Sequence, residues 1–574
     1  MPIHNADIAA IFDEIADLLE IKGDNPFRVR AYRNAALTLK GLGKNVGALL
    51  DQHQDLTQLP GIGKELFTKI MEILDTGTCQ TLEKLRKQMP RSLIELLRVP
   101  GLGPKRVRKL FQMLDIQTPD QLLQAARESR IRDLPGFGEK TEQHFLDTLE
   151  ANLGAQRRFK LATVTLYADQ LMAYLKDSPD VKEAVIAGSY RRSRATVGDL
   201  DILVTGRAGT AIMERFVSYE DVQEVLSKGI TRATVILRSG LQVDLRLVPK
   251  ESFGAALQYF TGSKAHNIAI RKLGRQRGLK INEYGVFKGK RRIAGRTENS
   301  VYRAVNLSYI FPELREDRGE IEAARVDLLP KPVELADLRG DLHIHTKVSD
   351  GFNTIEEMAE AGKKQGFEYI AITEHSSRLA IARGLDSRQL LQQCEVIDRL
   401  NEKIKGIMIL KGIEVDILED GRLDLPDAVL GKLDLVAGAI HSHFDLPRKR
   451  QTERILRAMD HPHFTILAHP SGRIINKREP CDVDMIRIIR KAYQRGCFLE
   501  LNAHPKRLDM LDIYCQIARD EGVMVSINSD AHSILDFENL RFGIGQARRG
   551  WLEKKDVLNT RPLKQILNLL KRTM

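Results

Sequence analysis

The 574-residue sequence has no run of about 18 apolar residues, the length a helix needs to cross a bilayer. That argues against a helical membrane protein. The first residues, MPIHNADIAAIFDE, are polar, then amphipathic and acidic, without the basic-then-apolar layout of a secretory leader. The expected compartment is the cytoplasm. Cysteine is scarce. Cys79, Cys394, Cys481, Cys497 and Cys515 show no CxxC spacing, so a disulfide framework or a cysteine zinc site is not expected, and buried thiols in a reducing compartment are. What the sequence has in excess is positive charge. A net charge of +12 and a pI near 9.3 favour a polyanionic partner, of which nucleic acid is the commonest.

Three phrases repeat in the first 150 residues: LPGIGKE (59–65), VPGLGPK (99–105) and LPGFGEK (134–140). Each falls between helical patterns; upstream of the first, Ile8, Phe12, Ile15 and Leu19 mark one helix face. A Gly-x-Gly turn before a helix exposes backbone N–H groups beside a positive helix end, a geometry that holds a phosphate without reading its base. Gly61, Gly63 and Lys64, Gly101, Gly103 and Lys105, and Gly136, Gly138 and Lys140 are therefore candidate contacts to a DNA backbone. The phrases resemble helix-hairpin-helix elements.

Near residue 181 the pattern turns strand-like. In AGSYRRSRATVGDLDILV (187–204), Asp199 and Asp201 lie two apart on an expected strand and point the same way. Asp244, in QVDLRLV, belongs to a strand well placed to lie alongside. Three carboxylates on one sheet face repel one another unless cations sit between them. Two Mg²⁺ ions would neutralise them and activate a hydroxyl for in-line phosphoryl transfer. Gly188 and Ser189 offer backbone donors and a hydroxyl to a triphosphate, Gly198 precedes the Asp-x-Asp pair, and Arg192 can neutralise a leaving pyrophosphate.

These stretches, with YFTGSKAHNIAIR (259–271) and INEYGVF (281–287), resemble the core of the family X DNA polymerases, the DNA polymerase beta group, over roughly residues 1–318. The resemblance implies catalytic metal ligands at Asp199, Asp201 and Asp244, with Mg²⁺ or Mn²⁺. It implies triphosphate contacts at Ser189 and Arg192 and a sugar pocket at Tyr259, Phe260 and Gly262. Asn267 would meet the base edge and Arg271 the template strand. Substrates would be dNTPs on gapped or primer–template DNA, in association with the nucleoid. Lys69, after PGIGKELFTK, matches the lysine with which some members remove a 5′-deoxyribose phosphate. Such a Schiff-base amine needs a lowered pKa, and Glu65 stands where the vertebrate member carries a basic residue.

LLPKPVELADLRG (328–340) reads as a linker. Beyond it, apolar strands alternate with helical stretches, which implies a mostly parallel sheet or barrel. Polar residues end the strands, where such folds place their active sites. His343, His345, Asp350, His375, Glu414, His441, His469, Asp530 and His532 form a donor set suited to Zn²⁺, Mn²⁺ or Fe²⁺. Nine ligands exceed one ion, and two or three clustered ions with Glu414 bridging are expected. Glu374 is a candidate supporting residue. The motifs HxH, TEH, GIEVDI, HSH, AHP and SDAH resemble the PHP (polymerase and histidinol phosphatase) domain over about residues 338–574. The resemblance implies Zn²⁺ or Mn²⁺ in a distorted (β/α)7 barrel. One ion would take His343, His345, Glu414 and Asp530, a second Asp350, His375 and His469, and a third Glu414, His441 and His532.

The expected chain is multidomain, α+β and α/β. It comprises helical helix-hairpin-helix domains (1–80, lyase-like, and 81–150), a nucleotidyltransferase palm (151–258), a nucleotide-selecting thumb (259–318), a linker (319–337) and the PHP barrel (338–574), in a monomer. The function implied is gap filling in base excision repair, with 3′→5′ exonuclease and AP endonuclease or 3′-end-processing activity. The rivals are a barrel that acts as a small-molecule phosphatase or pyrophosphatase, and a DNA-end scaffold with structural metals.

Overall fold

The computed structural model describes residues 5–571 except 42–45, 47–49, 51–54, 60, 91, 98, 100, 156–157, 208 and 380–381. The chain divides into two compact units, Met1–Arg157 and Arg158–Met574. Among the described residues no helix is long and apolar enough to cross a membrane. All five cysteines are free and buried.

The first unit is helical, from Asn5–Lys22 to Glu139–Ala155. The expected face of its first helix is buried: Ile8, Phe12, Ile15 and Leu19 join Tyr32, Ile70 and Ile73. Val107, Leu110, Leu122 and Phe145 belong to the same core. The segments expected as two domains, 1–80 and 81–150, thus share one apolar interior.

The second unit opens with a five-stranded mixed sheet. Its strand order is Val181–Ile186, Asp199–Gly206, Gln242–Leu247, Arg232–Leu237, Val222–Lys228. Only the pair Asp199–Gly206 and Gln242–Leu247 is parallel. The period-2 alternation of a strand sends Leu200, Ile202 and Val204 into a core shared with the helices Leu161–Lys176 and Gly209–Val217. That leaves Asp199 and Asp201 on the opposite face. A smaller layer follows: helices Phe253–Thr261 and Lys264–Gln276, a three-stranded antiparallel sheet over 279–294, and helix Glu298–Ala304.

The C-terminal part is a parallel seven-stranded sheet in sequence order: Gly340–Ile344, Tyr369–Ile372, Met408–Asp416, Leu435–Ala439, Ile466–Leu467, Phe498–Asn502 and Val525–Asn528. The first strand returns to the last, with His345 N–H donating to the Ala531 carbonyl at 2.8 Å and a parallel bridge between Ile344 and Ala531. The sheet is therefore a near-closed barrel, and every strand is buried along its length apart from Met408 and Lys411.

The barrel is docked on the polymerase-like layers. Ile475, Leu508 and Phe542 enter the palm core, and Trp551 enters the core of the thumb. The segment read as a linker, 319–337, also packs. Glu320–Arg325 is a helix whose Ile321 and Ala324 are buried in the thumb. Val333 is buried in the barrel core and donates its N–H to the Leu552 carbonyl at 3.0 Å. Its prolines read as a spacer, but Ile321, Ala324 and Val333 are claimed by neighbouring cores, while Val326, Leu328 and Leu335 stay exposed.

Candidate active sites

Asp201 stands in register with Asp244 on the adjacent parallel strand. Asp201 is pushed up to about 7, first by burial and then by the nearby charges of Asp199 and Asp244. Burial alone would also raise Asp244, but three donors hold it below its ordinary value: Thr234 Oγ1 at 2.7 Å, Gln242 Nε2 at 2.9 Å and Arg232 Nη2 at 3.0 Å. The repulsion that lifts Asp201 is what a cation between carboxylates relieves. Three hard oxygen donors on one face fit Mg²⁺ or Mn²⁺.

Beside them lies the turn Gly188–Arg191. Gly188 has φ +64°, and a Cβ there would sit 2.7 Å from Asp201 Oδ2, so both backbone angle and space require glycine. Gly198 has its own close neighbour, Arg158 Nη1, 3.2 Å from a Cβ built there. Ser189 lies within the turn. Arg192 donates to Glu316 Oε1 at 3.0 Å and to the Thr261 carbonyl at 2.8 Å. Its neighbour Arg191 forks onto Glu298 at 2.8 and 2.7 Å, and the buried Arg315 reaches the same carboxylate at 2.5 Å. Burial would raise Glu298, but these two guanidiniums hold it down to about 2. Sequence reasoning found Arg192 but missed Arg191, Glu298 and Glu316, whose pairings span more than 100 residues.

Tyr259 and Phe260 meet edge to face at 5.2 Å, with Arg246 over the Phe260 ring at 4.6 Å. Asn267 Nδ2 donates to the carbonyls of Tyr259 and Gly262 at 2.6 and 3.2 Å. A Cβ at Gly262 would lie 2.6 Å from Asn267 Oδ1, so this glycine lets Asn267 clamp the turn. Arg271 is exposed, with Nε donating to the Asn267 carbonyl at 3.2 Å.

In the barrel the nine strand-end residues converge. His343 Nε2 and His345 Nε2 are 3.1 Å apart, and they lie 3.7 and 3.4 Å from Asp530 Oδ1. Glu414 sits at the centre: 2.7 Å from His375 Nδ1, 3.2 Å from His441 Nε2, 2.7 Å from His469 Nε2 and 3.6 Å from His343 Nε2. Asp350 lies 3.5 Å from His375 Nε2 and 3.4 Å from His532 Nε2. Three groups of donor atoms lie within 4.8 Å of one another: His343, His345 and Asp530; His345, Asp350, His375 and His532; and His375, Glu414 and His441. The expected partition needs one exchange. His532 belongs with Asp350 and His375, whereas His469 approaches Glu414 beside His441. Position around the ring decides this, and spacing along the chain does not reveal it.

Several of these buried atoms have no hydrogen-bond partner, among them His345 Nδ1, His375 Nδ1, Glu414 Oε2 and His441 Nε2. Orphaned buried donors and acceptors at such short range fit metal ions better than they fit one another. The remaining ring atoms are oriented from behind. Glu500 takes His343 Nδ1 at 2.7 Å and His469 N–H at 2.7 Å, and Asp416 takes His441 Nδ1. Glu374 does not touch a candidate histidine ring. It accepts from Thr346 and Ser349 and so holds the loop that carries Asp350. Arg507 lines the same cavity of about 300 Å³, with Nε 3.6 Å from Asp530 Oδ2 and Nη1 buried without a partner. Glu500, Asp416 and Arg507 escaped the sequence reading; the signal was a charge inside or just past an apolar strand.

The three glycine turns share one backbone. Gly61, Gly101 and Gly136 have φ of +78°, +84° and +88°, and Gly63, Gly103 and Gly138 precede the next helix with open space where a Cβ would stand. Pro60 and Pro100 lie outside the described residues. Lys64 and Lys105 are exposed in the first turns of two of these helices. The third helix also has an exposed lysine there, Lys140, but between Glu139 and Glu142, and Lys109 Nζ already occupies the Pro135 carbonyl at 2.6 Å. Lys69 pairs with Glu65 at 2.6 Å. Burial would lower its pKa, but the bonds to Glu65 and Tyr32 raise it.

Comparison with known proteins matches five segments of the chain to family models. Residues 3–79 match a helix-hairpin-helix domain, 93–150 a SAM-like helix-hairpin-helix tandem, 163–257 the DNA polymerase beta palm, 256–316 the DNA polymerase beta thumb and 341–504 the PHP domain. The chain is 38% identical over 575 residues to the DNA polymerase/3′-5′ exonuclease PolX of Bacillus subtilis (strain 168), covering 99% of this chain and 100% of that protein. It is 31% identical over 232 residues to a probable phosphatase of Thermoanaerobacter sp. (strain X514), covering 38% of this chain and 89% of the relative.

Proposed function

We propose, since the chain belongs to the family X DNA polymerases that carry a C-terminal PHP domain, that its palm adds nucleotides to DNA and its barrel removes them from the 3′ end. The observation that carries the reading is the presence of both candidate donor sets in one chain: Asp199, Asp201 and Asp244 on the palm face, and nine converging residues able to bind metal in the barrel. Divalent ions held by these sets would supply the charge that activates an attacking oxygen and neutralises the phosphate under attack. In the palm, the Gly188–Arg192 turn positions the triphosphate, with Arg192 facing the pyrophosphate that leaves as the primer 3′-oxygen bonds to the α-phosphorus. The 259–262 turn, held by Asn267, supports the sugar, and Arg271 is exposed for a template contact. In the barrel, Glu500 and Asp416 fix the imidazoles, and Arg507 presents an unpartnered N–H to a phosphodiester oxygen.

In the helical unit, the first two glycine turns with Lys64 and Lys105 grip phosphates, and the more acidic third turn grips weakly. Lys69, protonated and paired with Glu65, serves as a DNA contact rather than a lyase nucleophile. The cellular role is short-gap filling in DNA repair by a cytoplasmic monomer, with cleavage at abasic sites as an added activity of the barrel. Mg²⁺ or Mn²⁺ suits the palm, and Zn²⁺ or Mn²⁺ the imidazole-rich barrel.

The deciding experiment is one 5′-labelled primer–template incubated with and without dNTP. Extension with dNTP and a ladder of shortened strands without it support the reading. An intact strand, with phosphate released from a small phosphomonoester instead, would make the barrel a phosphatase.

A further inference from the structure

We infer that Arg549, on the barrel helix Leu540–Arg549, is a positioning residue for nucleotide addition in the palm. The residue is 2% exposed, and its guanidinium reaches three acceptors. It donates to the Arg192 carbonyl at 2.8 Å, to Glu316 Oε1 at 2.9 Å and to Asp512 Oδ2 at 2.7 Å. The first acceptor lies in the turn that faces the triphosphate, the second is the carboxylate that holds the Arg192 side chain, and the third anchors Arg549 to its own barrel. Arg318 closes the circuit by donating to Asp512 at 3.0 Å and to the Arg549 carbonyl at 3.1 Å. The helix is close enough to the turn that a Cβ at Gly545 would stand 2.8 Å from Ser193 Cβ.

Charge explains what this contact does. Glu316 is shared by Arg192, Arg549 and, at 3.6 Å, Arg194. Arg549 draws part of that single negative charge, which leaves Arg192 undercompensated and free to meet an anion. Without Arg549, Glu316 falls to Arg192 and neutralises it, and the Arg192 carbonyl loses its donor, so the turn is free to rotate. Both effects weaken binding of the β- and γ-phosphates and leave the aspartates at the reacting atoms untouched.

The inference rests on reading Arg192 as a triphosphate contact, so the test includes it. Single-nucleotide addition by the full-length chain is measured for Arg549→Met, Arg549→Lys and Arg192→Ala. The KM for dNTP, kcat, the KM for pyrophosphate in the reverse reaction and excision of a labelled single strand are read for each. Arg549→Met is expected to raise both KM values roughly tenfold, the effect of losing a charge-assisted bond, with kcat and excision within about twofold of the parent. Arg549→Lys, which keeps the charge but not the fork, should recover part of the loss. If Arg549→Met does not fold, Arg549→Lys alone carries the test, with a smaller rise in both KM values expected and no rise counting against the inference. Unchanged KM values, or a fall in kcat and excision together, would overturn it. If Arg192→Ala raises the dNTP KM and Arg549→Met does not, this inference alone fails; if Arg192→Ala leaves that KM unchanged, the reading of Arg192 fails with it.

Discussion

Palm and barrel both bring acidic residues to strand positions, yet they differ in readiness. In the barrel, three groups of donor atoms already lie within 4.8 Å of one another, and Glu500 and Asp416 hold the outer atoms of three histidines or their backbone. In the palm, Asp199, Asp201 and Asp244 form no such group among the described residues, Asp199 is exposed, and the oxygens of Asp244 are occupied by three donors. Architecture accounts for the contrast. A ring of seven parallel strands aims all its ends at one place, whereas an open sheet face offers two neighbouring strands. The first arrangement suits resident ions. The second suits ions that arrive with the phosphates of the substrate, as Mg²⁺ commonly does.

The comparison breaks first if the two sites are not independent. Asp201→Ala should lower primer extension by at least roughly a hundred- to a thousandfold while excision persists, and His343→Ala should do the reverse. A gel assay with and without dNTP reads both, and loss of both activities in either variant would refute the separation. Next in size is Glu500→Gln, which removes the charge behind His343 and His469. It should weaken metal activation of excision by about ten- to a hundredfold and leave the metal dependence of extension alone. Metal titration of the two rates would show it. A chelator sharpens the contrast further. After brief chelation and return to Mg²⁺ only, extension should recover fully and excision should stay depressed until Mn²⁺ or Zn²⁺ is added; equal recovery of both would contradict the resident-ion reading. The smallest effect belongs to the helical unit. Lys105→Glu should weaken DNA binding alike for all sequences and reduce the salt slope by about one, without altering either rate at saturating DNA.

The candidate barrel ligands were legible because nearly all end an apolar run, and a charged or imidazole side chain at that place has few structural uses. Their grouping was not, since whether His469 or His532 joins Glu414 depends on the order of strands around a closed ring. The palm aspartates were legible from the two-residue period. The partners that hold Arg191 and Arg192 were not. Glu298 and Glu316 look like ordinary surface acids in the sequence, and only the fold brings them to Arg191 and Arg192. The docking face was hidden for a similar reason: Ile475, Leu508, Phe542 and Trp551 read as core residues, which they are, but in the cores of another domain.

That borrowing has a genetic consequence. Each of those side chains contributes about 1.5–3 kcal/mol of burial to a neighbour encoded hundreds of codons upstream. A premature stop after the thumb would leave the palm and thumb with open apolar sockets, so the truncated product should be null for synthesis as well as for degradation. For a lineage under pressure to abandon excision, deleting the barrel carries a cost to the polymerase. Its accessible route is point substitution at the ligands, and it would carry the emptied barrel onward as a scaffold.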